Sequence, residues 1–348
     1  MIRIGIIGLG FMGYTHFEGA RDLRGGKVTA FATRDPKKLA GDWTSIQGNF
    51  GPPGGHIDVS DLKCCPDYRQ LLADPDIDLI DICLPTDQHF AVVMEAIRAG
   101  KPVLVEKPIS VDLQQAEQMV AEAAAHKVPL MVAHVLPFFP EFRFAAEAIQ
   151  NKTYGKLLAA HFKRVICRPN WSGDMSDFRK LGGWGIDLHV HDNHFIAHAC
   201  GRPQGVFSTG LLQDGLVNHV HTSYIYGPDG PAVTSVSGGI AAGGLQFAHG
   251  FELYFENATL LFDAGTYGGA WVVSRPLTLV TQDGKVESPQ LPDAGKWCSA
   301  FTHELQTAVD ALTNRTSGGP LSGETALDAL RICWAEADSI RTGKAVSL

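Results

Sequence analysis

The sequence predicts an α/β protein with an N-terminal Rossmann-type domain, built on a parallel sheet, followed by an α+β domain with a large, mostly antiparallel open sheet. Over about the first 130 residues, short apolar runs alternate with helical patterns, which is typical of βαβ crossovers. A glycine-rich turn, Gly8–Gly13, follows the first apolar run. After about residue 140, strand-like runs separated by hairpin turns replace this alternation.

The N-terminal elements follow from apolar runs and from local start and stop signals. Asp112 is predicted to cap the helix that starts after it, and Gly100 to end the preceding one. Gly48–Gly55 is too rich in turn residues for regular structure and is predicted to be a loop. Predicted strands are Arg3–Ile7, Val28–Ala32, Leu79–Leu84, Val103–Val105 and Leu130–Ala133; predicted helices are Tyr14–Asp22, Pro36–Leu39, Tyr68–Leu72, Gln88–Ala99 and Asp112–His126.

The second part of the chain is predicted to be dominated by strands. Turns such as Gly227–Gly230 and Asp283-Gly284 indicate hairpins. We expect the domains to be residues 1–128 and 129–348. Predicted strands are Leu157–Cys167, Gly205–Leu212, Val217–Tyr226, Ala232–Gly238, Gly250–Phe255, Thr259–Asp263, Trp271–Val273 and Leu277–Thr281; predicted helices are Pro140–Gln150, Ser299–Thr313 and Gly323–Thr342.

Composition and charge exclude several classes of partner. The 348 residues carry a net charge of −8, and no run of Lys or Arg suggests binding to nucleic acid or to anionic lipid. Apolar runs are far shorter than the roughly 20 residues of a membrane span. The N-terminus begins directly as a strand, without the pattern of a signal peptide, and seven cysteines lack disulfide-framework spacing. We therefore expect a cytoplasmic protein without a nucleic-acid or membrane partner.

The glycine turn predicts a dinucleotide site. It reads Gly8-Leu9-Gly10-Phe11-Met12-Gly13, between a predicted strand and a predicted helix. In this context the first glycine permits a tight turn, the second lets the backbone approach a pyrophosphate, and the third permits close packing of helix on strand. The free N–H groups at the helix N-terminus suit the phosphates.

The end of the second strand bears on the choice between NAD and NADP. An acidic residue for the NAD ribose is usual there, and this chain has Thr33-Arg34-Asp35. If Thr33 takes that position, Arg34 could pair with a 2′-phosphate, with Lys37 or Lys38 nearby. If Asp35 takes it, the cofactor is NAD. We favour NADP over NAD on this pattern.

Three further residues suggest a reaction centre. Lys107 follows the apolar run Pro102–Val105, at the carboxyl end of a predicted parallel strand, where open α/β sheets bind ligands. Asp187 and His191 are four residues apart, and on a helix they would share one face. A histidine with its ordinary pKa suits the removal of a hydroxyl proton during hydride transfer, and a lysine can stabilise the negative charge that develops on oxygen.

Less specific interpretations of these residues remain open. Lys107 could be a solvated turn residue, and Asp187 with His191 a structural pair. His191, His194 and His198 share the predicted face with Asp187, so zinc is a rival, although no cysteine pair or HExxH pattern supports it and we predict no metal. The roles of His189, His219 and His221 stay undecided.

Taken together, these motifs resemble the Gfo/Idh/MocA family (glucose–fructose oxidoreductase, inositol dehydrogenase and rhizopine catabolism). The specific part of the resemblance is Glu106-Lys107-Pro108 combined with Asp187-x-x-x-His191. It extends along the chain through the opening glycine turn, Asp67–Asp78, His89 and the ending Ser339–Val346. The resemblance implies a Rossmann domain, then a domain whose open sheet lines the active site on one face and commonly packs subunits together on the other.

The resemblance also implies roles for individual residues. Lys107, Asp187 and His191 would be catalytic, and the Lys107–Pro108 bond is expected to be cis. Cofactor contacts are expected from Gly8, Gly10, Phe11, Met12, Gly13, Thr33, Arg34, Pro85, His89, Glu106, Lys107 and Pro108; substrate contacts are expected from His134, Arg168, Trp171 and His194.

The chain departs from the family pattern at three places that bear on the substrate. His189 stands where Gly is frequent, Pro137 where a related subgroup carries Arg, and His194 where that subgroup often has Asp. The leading hypothesis is an NAD(P)-dependent oxidoreductase that acts on a sugar, cyclitol or related polyhydroxy compound, as a homodimer or homotetramer formed through the C-terminal sheet. The alternatives are a glycosidase or lyase that uses tightly bound NAD in a transient oxidation, and a non-catalytic sensor that binds a dinucleotide.

Overall fold

The computed structural model describes residues 1–48, 50–168, 177–292 and 295–348. Its strands are β1 Ile2–Ile7, β2 Gly26–Ala32, β3 Lys63–Cys65, β4 Leu79–Ile82, β5 Val103–Glu106, β6 Leu130–Ala133, β7 Leu157–Cys167, β8 Gly205–Gln213, β9 Leu216–Ile225, β10 Ala232–Ile240, β11 Leu245–Phe255, β12 Ala258–Tyr267, β13 Ala270–Thr281, β14 Val286–Glu287 and β15 Val346–Ser347. Its α-helices are α1 Phe11–Gly19, α2 Pro36–Leu39, α3 Arg69–Leu72, α4 His89–Arg98, α5 Leu113–His126, α6 Pro140–Gln150, α7 Trp184–Asp187, α8 Val190–Cys200, α9 Ser299–Asn314 and α10 Gly323–Thr342.

The chain divides into two compact units. The first comprises Met1–Phe138 and Asp293–Leu327, and the second Phe139–Pro292 and Asp328–Leu348. The sequence-based division after residue 128 differs from this because β6 pairs with β5 in the first unit. In addition, α9 packs against α1 and β1, so this late segment of the chain belongs to the first unit. Both features depend on pairing between segments that are distant along the chain, and local sequence patterns do not predict such pairing.

The first unit is built on a parallel sheet. Its described strands run in the order β3-β2-β1-β4-β5-β6, which is the dinucleotide-binding order. β1, β4, β5 and β6 are apolar runs that are buried almost throughout, as parallel strands covered on both faces should be. The Rossmann prediction is therefore confirmed, while β3 was missing from the sequence-based set of strands.

Local signals set several helix ends in the first unit. Asp112 caps α5 as predicted, because its carboxylate accepts the N–H of Gln115. Gly100, just after α4, has a φ of 73°, a conformation that favours glycine. No helix or strand is found among the described residues of the predicted loop Gly48–Gly55. Just before this loop, the fully buried Trp43 packs edge-on against Phe17 and Phe31.

The second unit is built on a mixed, mostly antiparallel sheet. The order of its described strands is β14-β13-β12-β11-β7-β10-β9-β8-β15, and β7 with β10 is a parallel pair inside it. β13 is a single strand, although the sequence predicted two. Pro276 lacks an N–H to donate to a partner strand. The strand continues past it because the register with β12 shifts at this point.

The core of the second unit lies between this sheet and two helices. Phe142 of α6 and Phe195 of α8 pack edge-on, with their ring centroids 5.2 Å apart. They meet Phe162 and Phe251 on the inward face of the sheet. Burying such rings removes on the order of 150–250 Å² of surface each, so this aromatic layer dominates the packing of the unit. None of the helices in the described ranges is long and apolar enough to cross a membrane.

Candidate functional site

The glycine turn has the geometry that dinucleotide binding requires. Gly8 has a φ of 95°, and an added Cβ would meet the Cys83 carbonyl oxygen at 2.8 Å. At Gly13, an added Cβ would lie 2.1 Å from the Gly8 carbonyl oxygen, so the helix could not start so close to the strand with any other residue. At Gly10, an added Cβ would have nothing within 4 Å. The turn therefore leaves open space at its middle glycine, where the phosphates of a dinucleotide would approach.

The end of β2 provides cations close to this turn. The Asp35 carboxylate accepts the N–H of Lys37 and caps α2, so one of its oxygens is occupied locally. Arg34 is exposed. The Lys38 ammonium donates to the Leu9 carbonyl oxygen at 2.7 Å, which holds this cation against the glycine turn.

Lys107 lies at the carboxyl edge of the parallel sheet. It follows directly after β5, is half-buried, and forms a cis peptide bond with Pro108, as expected. Its backbone N–H donates to Glu106 Oε2 at 3.1 Å. His89 is fully buried, and its ring nitrogens lie 2.9 Å from the Leu84 carbonyl oxygen and 3.0 Å from that of Pro108. This imidazole therefore links the chain just after β4 to the chain just after β5.

Beneath this edge, Glu106, an expected cofactor contact, belongs to a group of buried titratable side chains whose other members were not among the predicted site residues. The imidazole of His16, from α1, is fully buried between Asp81 of β4 and Glu106 of β5. The carboxyl group of Glu304, from α9, faces the same ring. The sequence feature that could have indicated this group is Asp81, a charged residue in the otherwise apolar run Leu79–Ile82. Its partners are too distant in sequence for any local pattern to pair them.

Electrostatics favour a charged imidazole at this place. Burial alone lowers the pKa of His16, but Asp81 and the neighbouring Cys83 raise it well above its ordinary value. Burial also raises the pKa of Glu304 well above its ordinary value, which favours the neutral acid. His16 Nδ1, Asp81 and Cys83 offer ligand atoms within 4.8 Å of one another, but the distances of 2.9–3.5 Å are those of hydrogen bonds within a closed core.

Asp187 and His191 lie on a helical segment with an irregularity between them. α7 ends at Asp187 and α8 begins at Val190, so the two residues do not lie on one continuous helix, the condition under which they were expected to share a face. The His189 N–H donates to the Trp184 carbonyl oxygen, a π-type bond, and the Asp192 N–H donates to the His189 carbonyl oxygen, a 3₁₀-type bond. Such irregularities are frequent at functional sites. Asp187 is buried and His191 half-buried.

The glycines before Asp187 allow the chain to approach the sheet closely. At Gly183, which has a φ of 79°, an added Cβ would lie 2.8 Å from the Val217 carbonyl oxygen. At Gly185, an added Cβ would lie 2.6 Å from the Cβ of Val217. The segment that carries Asp187 is therefore pressed against β9.

His189 is the centre of a second buried network. Its Nε2 lies 3.0 Å from Glu336 Oε1, and its Nδ1 lies 3.8 Å from Asp192 Oδ2. Burial alone lowers the pKa of His189, but Glu336 and Asp192 together raise it to about 9. The guanidinium of Arg164 donates to Asp192 at 2.9 Å. His189, whose role the sequence left undecided, is therefore a buried ion-paired residue between the two candidate catalytic positions.

The predicted substrate residues occupy different environments. His134, just after β6, and His194, on α8, are both buried. Arg168 is exposed, and Trp171 lies outside the described residues. The rings of His194 and His198 stack with centroids 6.5 Å apart. The first unit thus carries the predicted cofactor residues and Lys107, and the second carries Asp187, His191 and His194.

Comparisons with known proteins agree with this architecture. Residues 2–134 match the model of an oxidoreductase family with an NAD-binding Rossmann fold. The chain is 26% identical to an uncharacterized oxidoreductase, YrbE, of Bacillus subtilis, over 100% of this chain and 96% of that protein. It is 24% identical to inositol 2-dehydrogenase of Rhizobium meliloti, over 100% and 99% of the two chains. The crystal structure of a probable dehydrogenase from Thermotoga maritima superposes with a TM-score of 0.78, at 21% identity over 99% and 98% of the chains.

Proposed function

We propose that this chain, whose residues 2–134 match an oxidoreductase family with an NAD-binding Rossmann fold, transfers a hydride between nicotinamide and a carbon of a sugar, cyclitol or related polyhydroxy compound. The observation that carries this proposal is the position of Lys107. β5 ends just before it, two strands away from β1, and β1 leads into the glycine turn at the same edge of the sheet. The likeness to an inositol 2-dehydrogenase supports a polyol as the substrate class.

The proposed roles follow from the chemistry of each side chain. The nicotinamide supplies the acceptor for the hydride, and the protein must supply proton transfer and charge stabilisation. His191 removes the hydroxyl proton as the hydride leaves carbon, and Asp187 orients the imidazole or the substrate. The Lys107 ammonium holds the reacting oxygen and stabilises the negative charge that develops on it.

Replacement of these residues tests the proposal. We expect Lys107→Ala to lower kcat/KM by about 10²–10³-fold and His191→Ala by about 10²–10⁴-fold. The measurement is NAD(P)H absorbance with a panel of polyols, alongside a fluorescence titration of cofactor affinity, which should change by less than about twofold. His126→Ala, at an exposed position on α5, serves as the matched control. Near-wild-type turnover in both Lys107→Ala and His191→Ala would contradict the proposed mechanism.

We propose NADP as the preferred cofactor. Asp35 is the alternative partner for the ribose, but one oxygen of its carboxylate accepts the N–H of Lys37 in the cap on α2. Arg34 is exposed, and the Lys38 ammonium is held at the glycine turn. Two cations suit a 2′-phosphate. Arg34→Ala is expected to raise KM for NADPH by about 10-fold or more and to leave KM for NADH nearly unchanged. A wild-type preference for NADH would contradict this assignment.

We further propose self-association through the open sheet of the second unit. The outward face carries a groove of about 530 Å³ lined by polar residues such as His161, His221 and Arg275. Large apolar side chains are exposed on strands of the same sheet, among them Phe207, Leu211 and Trp271. Light scattering should give a dimer or tetramer, and a monomer would refute the proposal.

All seven cysteines are free thiols, which suits a reducing cytoplasm.

A further inference from the structure

A buried cluster of four side chains in the first unit has, apart from the expected cofactor contact of Glu106, no part in the function proposed so far. It consists of His16, Asp81, Glu106 and Glu304, and we call it the His16 cluster. Three of the four residues have no exposed surface, and Glu106 is 7% exposed. The residues come from α1, β4, β5 and α9, so four separate elements converge on one imidazole.

The imidazole joins the middle of one strand to the end of the next. His16 Nδ1 lies 2.9 Å from Asp81 Oδ2, and Nε2 lies 3.1 Å from Glu106 Oε1. Asp81 and Glu106 belong to the neighbouring parallel strands β4 and β5. The ring is therefore hydrogen-bonded on one side to a carboxylate in the sheet. On its other side, Nε2 makes no hydrogen bond with the described residues and faces the carboxylate that ends β5 at ion-pair distance.

This arrangement continues to Lys107 through a single side chain. The carboxylate that faces His16 with Oε1 accepts the backbone N–H of Lys107 with its other oxygen, at 3.1 Å. The Glu106 carboxylate therefore contacts the backbone from which the Lys107 side chain projects. His89 holds the following residue, Pro108, through its carbonyl oxygen.

We propose that His16 is a positioning residue for Lys107 and acts through Glu106. The inference rests on the proposed role of Lys107 in the reaction. His16 itself reaches neither substrate nor cofactor, because its side chain is fully buried. Its action is to fix the Glu106 carboxylate, which fixes the backbone of Lys107 and thereby the place of the ammonium.

The composition of the cluster favours positioning over simple stabilisation. Neither oxygen of Glu304 accepts a hydrogen bond from the described residues, and its Oε2 lies 3.7 Å from His16 Nε2. A buried polar group without such a bond costs stability, and apolar side chains of similar size commonly replace buried ion pairs without loss. A core that needed only stability would not require three carboxyl groups around one imidazole.

Two substitutions, His16→Asn and His16→Gln, test the contacts on the two sides of the imidazole ring separately. The side-chain amide of Asn can occupy the place of Nδ1 and keep the bond to Asp81, whereas the longer Gln can reach the place of Nε2 and keep the contact with Glu106. Leu305→Ala is the matched control, since Leu305 is a buried apolar neighbour of Glu304 on α9. We expect His16→Asn to lower kcat by about 10–100-fold at nearly unchanged cofactor affinity. His16→Gln should retain most of the wild-type kcat.

A second measurement reports on Lys107 without turnover. Lysines of the full-length protein are methylated reductively with ¹³C-formaldehyde, and the Lys107 resonance is identified by its absence in Lys107→Ala. It should shift in His16→Asn and not in His16→Gln or Leu305→Ala. An unmoved resonance together with wild-type kcat in His16→Asn would overturn the positioning role, as would equal losses in the Asn and Gln variants. If Lys107→Ala itself keeps its turnover, the proposed reaction centre fails instead.

Discussion

Each of the two units buries one histidine among carboxyl groups, next to a candidate catalytic residue. In the first unit, His16 lies against Asp81 and against Glu106, the neighbour of Lys107. In the second, His189 lies against Glu336 and Asp192, between Asp187 and His191. The two networks share no sequence pattern, and they differ in how fully their polar groups are hydrogen-bonded.

The two networks differ most at one carboxyl group each, Glu336 in the second unit and Glu304 in the first, while each histidine has one ring nitrogen without a hydrogen bond among the described residues. Glu336 accepts hydrogen bonds from Thr222 at 2.7 Å and from Asn193 at 2.7 Å, besides its pairing with His189. Asn193 in turn accepts from the Tyr224 hydroxyl at 2.5 Å. Glu304 in the first unit accepts none from the described residues. Fully satisfied networks make a core rigid, whereas a buried polar group without a bond costs stability. The carboxylate of Glu336 therefore supports stability in the second unit, whereas the carboxyl group of Glu304 is costly in the first.

The largest expected effect comes from removing the carboxylate at the centre of the network in the second unit. Glu336→Ala should lower the free energy of unfolding by about 3–5 kcal/mol, because it leaves a buried imidazolium and two donors without their acceptor. Denaturant unfolding followed by tryptophan fluorescence measures this loss. Glu324→Ala, near the start of the same helix, is the control. A loss below about 1 kcal/mol would mean that the network is no more stabilising than a surface ion pair.

The dependence of stability on pH provides the next test. Since Glu336 and Asp192 raise the folded-state pKa of His189 from 6.5 to about 9, its charge stabilises the fold fully below pH 6.5. That contribution is lost as the pH rises toward 9. The shift corresponds to about 3 kcal/mol.

His189→Gln is the matched variant for this test. The difference in unfolding free energy between wild type and His189→Gln should be greatest at pH 6 and should shrink by pH 9. Other groups, including His16, titrate alike in both proteins and cancel in the difference. A difference that stays constant between these pH values would show that His189 is not charged in the folded protein.

The sequence predicted the parts of the fold that depend on local patterns. The glycine turn, the cap at Asp112 and the bounds of β7, α6 and α10 all follow from residues close together in the chain. The candidate residues Lys107, Asp187 and His191 were equally accessible, because each belongs to a short motif.

What the sequence could not predict depends on long-range pairing. The return of α9 to the first unit and the continuity of β13 are set by partners far along the chain. The two histidine networks are further cases: Glu336 is 147 residues from His189. A lone histidine gives no sign of whether it will be buried neutral or charged. His249 shows the other outcome, since burial and the nearby Arg164 lower its pKa to about 3.

The smallest expected effect is a gain in stability at Glu304. Burial raises the folded-state pKa of this carboxyl group, so the folded protein keeps it neutral while the unfolded chain ionises above about pH 4.5. Wild type therefore loses stability as the pH rises above that value. Glu304→Met keeps the size of the side chain and removes this penalty, and we expect a gain of about 1 kcal/mol at pH 7 that vanishes near pH 4.5. A lower melting temperature for the variant at pH 7 would mean that Glu304 is ionised and stabilises His16, and both units would then use their buried carboxylates in the same way.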